Sequence, residues 1–299
     1  MIAHSGRVIA LGFFDGIHLG HATLLEQAKL RAREKGLSPA VMSFDLHPDN
    51  LVAGKTVTLI NSIEDRLEIL NRCFGITDVV LAHFDQNMMH MPWDVFIEDY
   101  LVGQLGAKHL VCGYDFRFGD RGKGNPDLLR EKCRELGIGC DVMPKVELDG
   151  VTVSSTHVRQ LLKDGDMETA MTFLGHPHCI SGQVVHGREI GRTIGIPTSN
   201  LEIPRGIMVP GFGVYATKVT LPDGEEKLAV TNVGVRPTVG SSDHVTVEPW
   251  ILDFSGDLYG KTIRVDFYKK LRGEKKFESL EALKEEIHRN ADETRTLFG

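Results

Sequence analysis

Five short apolar runs, each followed by helical spacing or a capped turn, occupy the first 150 residues and restrict the fold more than any other feature of the chain. "RVIAL" (7–11) precedes a stretch in which Leu24, Leu25, Ala28 and Ala32 recur at helical intervals, with Gly36 placed as a C-terminal cap. "SPAVMSF" (38–44) is a second predicted strand. "SIEDRLEILNRCFG" reads as a helix capped by Asn61 or Ser62, with acids in its first turn. "DVVLAHF" (78–84) is followed by "PWDVFIEDYLVGQLG", a helix opening at Pro92. "HLVCGY" (109–114) precedes a helix capped by Asn125, and "CDVMPKV" (140–146) is a fifth strand. Strands alternating with helices predict a parallel sheet with right-handed crossovers. Ligands of such sheets bind beyond the strand C-terminal ends.

The pattern changes after two short predicted helices, 156–163 and 166–174. "ISGQVVH", "GVYATKVT", "EKLAVTNVG", "HVTVEPWIL" and "TIRVDFY" read as strands, and "LPDGEE" as a hairpin turn. A helix over 279–297 ends the chain. These signals describe an antiparallel barrel or sandwich with a terminal helix. The expected division lies near Gly175–Cys179, giving domains 1–176 and 177–299.

Charge and cysteine usage narrow the partners. A net charge of -7 without a basic block disfavours nucleic acid and anionic membranes, so small molecules are the expected partners. Five cysteines without a CxxC pair point to a reducing compartment. No apolar leader and no run near the roughly 18 residues of a membrane span are visible, so the cytoplasm is expected and no membrane association.

"GFFDGIHLGH" lies where the first strand hands over to the first helix. Gly12 and Gly16 permit a tight turn, and the helix start offers free N–H groups to an anion. His18 and His21 share one face there and can donate to phosphate oxygens. Gly20 leaves room for a nucleotide against the helix. The residues alone leave two surface histidines as an equal alternative. A metal site lacks further ligands, "GDRGKGN" fails the Walker A spacing, and no GxGxxG is present. In "VVHGREIGRTIGIPTSNL", Gly187, Gly191 and Gly195 recur every four residues among basic side chains, as a phosphate cradle or a glycine-rich surface loop. "GHPHC" holds His176, His178 and Cys179, but no second cluster completes a tetrahedral site.

"FDGIHLGH" resembles the HxGH signature of the nucleotidyltransferase superfamily. With "SFDLHPDN", "GYDFRFG", "DGVTVSSTHVRQLL", "ISGQVVHGREIGRTIGIPTSNL", "NVGVRPTVG" and "EPWILDFSGDLYGKTIRVDFYKKLRGEKKF", it is similar in order and spacing to the prokaryotic bifunctional riboflavin kinase/FMN adenylyltransferase family over nearly the whole chain. The resemblance implies a Rossmann-like nucleotidyltransferase domain followed by a small antiparallel β-barrel domain with a C-terminal helix. It implies two ATP-dependent reactions, riboflavin to FMN and FMN to FAD, with Mg²⁺ as cofactor.

In the first domain the resemblance assigns His18 and His21 to the ATP phosphates and the transition state. It assigns Ser154, Ser155, Thr156 and Arg159 to the β- and γ-phosphates. Gly12, Phe14, Asp15, Gly16, Gly20, His47, Pro48 and Asp115, with Phe116, fall at nucleotide or flavin positions. In the second domain it assigns Thr198 and Asn200 as magnesium ligands. Gly182, His186, Gly187, Arg192, Gly195 and Pro197 match nucleotide contacts, Glu248 the catalytic base, and Arg272 a place beside the flavin. Read alone, "SST" is a helix cap and Glu248 a solvated strand residue. The chain departs from the family pattern at Phe13, Ser199, Pro249 and Trp250. Two other readings compete: a protein retaining one activity, and a flavin-binding regulator without turnover.

Overall fold

β1 (Arg7–Leu11), β2 (Ser38–Phe44), β3 (Val79–Ala82), β4 (Ala107–Gly113) and β5 (Gly139–Met143) pair in parallel in the order β3-β2-β1-β4-β5. The computed structural model describes residues 6–52, 54, 56–187, 195–236 and 244–299. β1 is central and buried from Val8 to Leu11, as a strand covered on both faces must be. From β1 the order runs outward through β2 to β3, then resumes at β4 on the other side of β1. That reversal is the topological switch point, and the C-terminal ends of β1 and β4 flank it.

The helices of this first unit follow their caps. α1 (Leu19–Lys35) starts at His18 and stops at Gly36, which takes a left-handed φ of 64°. α2 (Pro48–Val52) follows β2 directly. α3 (Ile63–Phe74) opens with the Asp65 N–H donating to Ser62 Oγ at 3.0 Å. α4 (Gln86–Met89) is a single turn capped by Asp85. α5 (Trp93–Val95) starts after Pro92 and widens into a π-helical stretch, Phe96–Gln104. The i+5 spacing puts Phe96 and Leu101 on one buried side. α6 (Pro126–Glu135) is capped by Asn125, whose Oδ1 accepts the N–H of Asp127 and Leu128 at 3.0 Å each. A two-residue hairpin, β6 (Glu147–Leu148) with β7 (Val151–Thr152), leads out of β5.

A second compact unit holds residues 58–65 and 155–299, while the first holds 1–57 and 66–154. α7 (Ser155–Asp164) and α8 (Met167–Leu174) belong to the second. Its sheet comprises β8 (His178–Val185), β9 (Asn200–Glu202), β10 (Gly213–Thr220), β11 (Glu226–Arg236), β12 (His244–Ile251) and β13 (Thr262–Arg272), antiparallel in the order β12-β11-β10-β13-β8-β9. The Ser199 N–H donates to the Pro249 carbonyl at 2.9 Å, so the two edges meet and the sheet closes as a barrel. Tyr215, Val233, Val247, Val265 and Phe267 are completely buried. α9 (Leu280–Phe298) covers part of the outer face through Ala291, against Val214, Val230 and Leu252. The predicted hairpin joins β10 to β11, with Gly224 at φ 88°.

Residues 58–65 give the second unit an unpredicted strand-like contact. Leu59 bridges Ile207, its N–H donating to the Gly206 carbonyl at 2.8 Å. No local pattern announces a pairing across so long a stretch of chain.

Candidate functional sites

The first site grows out of the end of β1. Gly12 leaves space for the Phe14 ring, which a Cβ would meet at 3.1 Å. Phe14 (φ 58°) and Ile17 (φ 42°) are held in left-handed backbone although neither is glycine, and both are fully buried. Each such residue costs on the order of 1–3 kcal/mol and persists only where its surroundings fix it. Asp15 between them is 3 % exposed.

The loop delivers His18 as the N-cap of α1, its Nδ1 accepting the His21 N–H at 3.2 Å. The two imidazoles stack at 3.8 Å between centroids, 9° from parallel. Burial, then His18, then Arg66 push the His21 pKa well below its ordinary value, so the ring is neutral near pH 7. No acid occupies the first turn of α1, so its positive end is not neutralised from within. A Cβ on Gly20 would meet the His18 ring at 3.1 Å. Glycine here leaves room for that folded-back ring. Val153, directly before Ser154, presents its carbonyl 3.8 Å from the same point.

The remaining predicted residues of this half divide between the units. Ser154 lies in the first; Ser155, Thr156 and Arg159 open α7 in the second. Arg159 Nε donates to the Thr58 carbonyl at 3.0 Å. His47 caps the turn into Pro48 by accepting the Asp49 N–H at 3.2 Å, and its ring stands edge-on to Phe13 at 4.6 Å. Asp115 is exposed just past β4, at the switch point. Phe116 stacks on Phe118 at 5.3 Å instead of standing free.

Arg66 was not singled out by sequence reasoning. It is 0 % exposed, and its Nη1 donates to the carbonyls of Phe13 (3.0 Å) and Phe44 (3.2 Å) and to Ser43 Oγ (2.9 Å). Its guanidinium lies 4.4 Å from the Phe13 ring centroid. The sequence signal available was a basic residue one turn before Ile69 and Leu70 on the buried face of α3.

The second site is built on the barrel. A cavity of about 700 Å³ is lined by Gly195, Pro197, Thr198 and Ser199 on one side and by Ser255, Asp257 and Tyr259 on the other. This is a typical small-ligand volume. His186 stacks on Tyr259 at 3.8 Å, making Tyr259 a second residue not foreseen. Gly182 lies against the Glu202 carbonyl, and a Cβ on Gly187 would overlap the Asn200 carboxamide. Arg192 lies outside the described residues, as do 188–194 of the glycine run. Thr198 and Asn200 are half-buried. No group of three His, Cys, Asp or Glu side chains able to hold a metal occurs among the described residues. Thr198 and Asn200 offer neutral oxygens, a donor type that Mg²⁺ accepts while keeping waters and substrate phosphates as ligands.

Strand register sets the rest of this site. Glu248 pairs with Asn232, Asn232 with Val214, and Val214 with Arg272, a row crossing four strands. Cross-strand partners share a face, and Val214 packs with Ala291 of α9, so the row lies on the outer face. Asn232 is exposed and Glu248 half-buried. Arg272 Nε donates to Asn290 Oδ1 at 3.0 Å, and its guanidinium lies 5.4 Å from the Phe277 ring centroid. The Ser199–Pro249 bond brings the cavity wall to the residue beside Glu248.

A parallel sheet with a histidine-bearing helix start at its switch point, followed by a closed barrel with a cavity beside Thr198 and Ser199, fits a two-part nucleotide-dependent transferase. A family profile described as FAD synthetase matches residues 2–157, and one described as riboflavin kinase matches 174–298. The bifunctional riboflavin kinase/FMN adenylyltransferase of Escherichia coli (strain K12) is 40 % identical, covering 98 % of this chain and 93 % of its own. That of Bacillus subtilis (strain 168) is 36 % identical, covering 97 % and 92 %. A crystal structure described as a macrolide-efflux protein from Streptococcus pneumoniae superposes with a TM-score of 0.85 at 30 % identity, covering 97 % of this chain and 94 % of that one. The chain belongs to the bifunctional riboflavin kinase/FMN adenylyltransferase family. Among the described residues no helix is long and apolar enough to cross a membrane.

Proposed function

We propose that this chain phosphorylates riboflavin to FMN with ATP on its barrel, then transfers AMP from ATP to FMN at its parallel sheet, releasing pyrophosphate and FAD. The observation that carries this reading is that one chain matches both families over separate stretches. The functional boundary is placed at 176/177, and the reactions belong in the cytoplasm with small molecules as partners.

In adenylylation the attacking group is the FMN phosphate, already ionised near neutral pH with a second pKa of about 6. It requires alignment and donors, not a strong base. His18 and His21 supply imidazole N–H groups, Ser154, Ser155 and Thr156 hydroxyls, and Arg159 a cation. In phosphorylation the nucleophile is the ribityl alcohol, which gains from a proton acceptor. Glu248 takes that role, at the end of a row that reaches Arg272 on the flavin side. Thr198 and Asn200 would hold magnesium, which neutralises charge on the ATP phosphates when bound.

The direct test is incubation with riboflavin, ATP and Mg²⁺, followed by chromatographic separation of the flavins. FMN and FAD should both accumulate. FMN alone would leave a single activity, and neither product would leave a flavin-binding protein.

A further inference from the structure

The Phe13–Ile17 loop is backbone-strained, yet it must place two histidines reproducibly. Glycine alone does not achieve this, because Phe14 and Ile17 occupy two of its left-handed positions. Arg66, from α3, reaches the loop through the Phe13 carbonyl and the end of β2 through Ser43 and Phe44. Ser43 Oγ also donates to the Phe13 carbonyl, at 2.8 Å, so that oxygen is held twice. Only one arm of the guanidinium is used in this way. Nε and Nη2 are buried without a hydrogen-bond partner among the described residues. A purely architectural arginine is expected to have its fork satisfied. Here the charge is instead borne by the face of Phe13 and by the field of buried Asp15, both part of the same loop.

We infer that Arg66 is a positioning residue for FMN adenylylation, fixing the strained loop so that His18 and His21 keep their stacked arrangement at the start of α1. It touches no reacting atom and acts through Phe13 and the loop. The inference rests on the first unit being the adenylylation site. The charged and titratable groups that face His21 are His18 on its own helix and Arg66 on α3, with Asp15 of the loop facing Arg66 in turn.

The test compares Arg66→Met, which keeps bulk and loses charge, with Arg66→Lys, which keeps charge and loses the planar fork. Each is assayed with FMN and ATP, and separately with riboflavin and ATP. Arg66→Met should lower kcat for FAD formation on the order of 100-fold, and Arg66→Lys roughly tenfold, because misplacement falls on the transition state. KM for FMN and ATP should stay within about twofold, and FMN formation from riboflavin should be unchanged. The titration of His21, followed by NMR with labelled histidine, should move upward in Arg66→Met and stay in place in Arg66→Lys. A folded Arg66→Met with normal kcat, or with both reactions falling together, overturns the inference. If the Met variant does not fold, a normal kcat in Arg66→Lys overturns it alone. Absence of FAD formation by the unsubstituted protein would instead remove the adenylylation reading itself.

Discussion

Glu248 shows how little one residue's chemistry is written in its own surroundings. "HVTVEPW" alternates as a strand should, and alternation places Glu248 on the outer face, where most glutamates are merely solvated. What distinguishes it is non-local: Asn232 and Arg272 share its row, and Ser199 binds the next residue. Pro249 departs from the family pattern, yet it contributes its carbonyl to that bond, which proline retains. Glu248→Gln should lower riboflavin phosphorylation by about 100- to 10,000-fold while adenylylation of supplied FMN stays near normal. A near-unchanged kinase rate, with chemistry shown to limit turnover, would take Glu248 out of the role. His178 illustrates the opposite case, a conspicuous residue whose place is structural. Burial, with His176 beside it, lowers its pKa to about 3 from an ordinary 6.5. The unfolded chain therefore takes up a proton below pH 6.5 that the folded protein refuses until about pH 3. The stability this provides is complete above 6.5 and is lost as pH falls, at up to about 1.4 kcal/mol per pH unit. His178→Phe should flatten that slope, as read from urea midpoints between about pH 7.5 and pH 5. An unchanged slope would show that another group sets the acid sensitivity.

At the scale of elements, the sequence was informative wherever a cap or a change of period marks a boundary. β1, β2 and β10 run over the predicted residues, and α6 starts at its predicted Asn125 cap. Elements without such marks went unseen. β9 has three residues, α2 five and α4 four, too short for any periodicity to register. The π-helical turn between Phe96 and Gln104 depends on packing that an ideal helical spacing does not anticipate. The start of α1 was legible as an anion-friendly helix end, and Gly20 as room for a nucleotide, but the contact between position 20 and the His18 ring was not. It arises from the His18 ring folding back onto its own helix. Gly20→Ala tests this directly. Alanine favours helix by about 1 kcal/mol over glycine, so thermal stability should hold or rise. The displaced His18 ring should still lower FAD formation roughly tenfold, with riboflavin phosphorylation unaffected. Normal adenylylation in this variant would mean that the stacked pose of His18 is not the working one.

For the whole molecule, the change from alternating strands and helices to short antiparallel strands announced two architectures, and both are present. The return of residues 58–65 to the second unit had no such signal, because the Leu59–Ile207 bridge joins residues far apart in sequence. A further consequence concerns the traffic between two chemistries on one chain. The residues proposed for phosphorylation, from Gly182 to Arg272, and the histidines proposed for adenylylation are different sets, so each reaction can be disabled alone. His21→Ala should retain riboflavin phosphorylation and lose FAD formation. Glu248→Gln should do the reverse with supplied FMN. Mixed in one tube with riboflavin, ATP and Mg²⁺, the two variants should together make FAD, although neither does so efficiently alone. FMN released by the first variant reaches the second through solution, so the FAD rate should follow the free FMN concentration and show an initial lag. Diluting the mixture should lengthen the lag. If both variants remain active in their separate assays but the mixture makes no FAD, FMN made by the first does not reach the second through solution, and the picture of two independent sites fails.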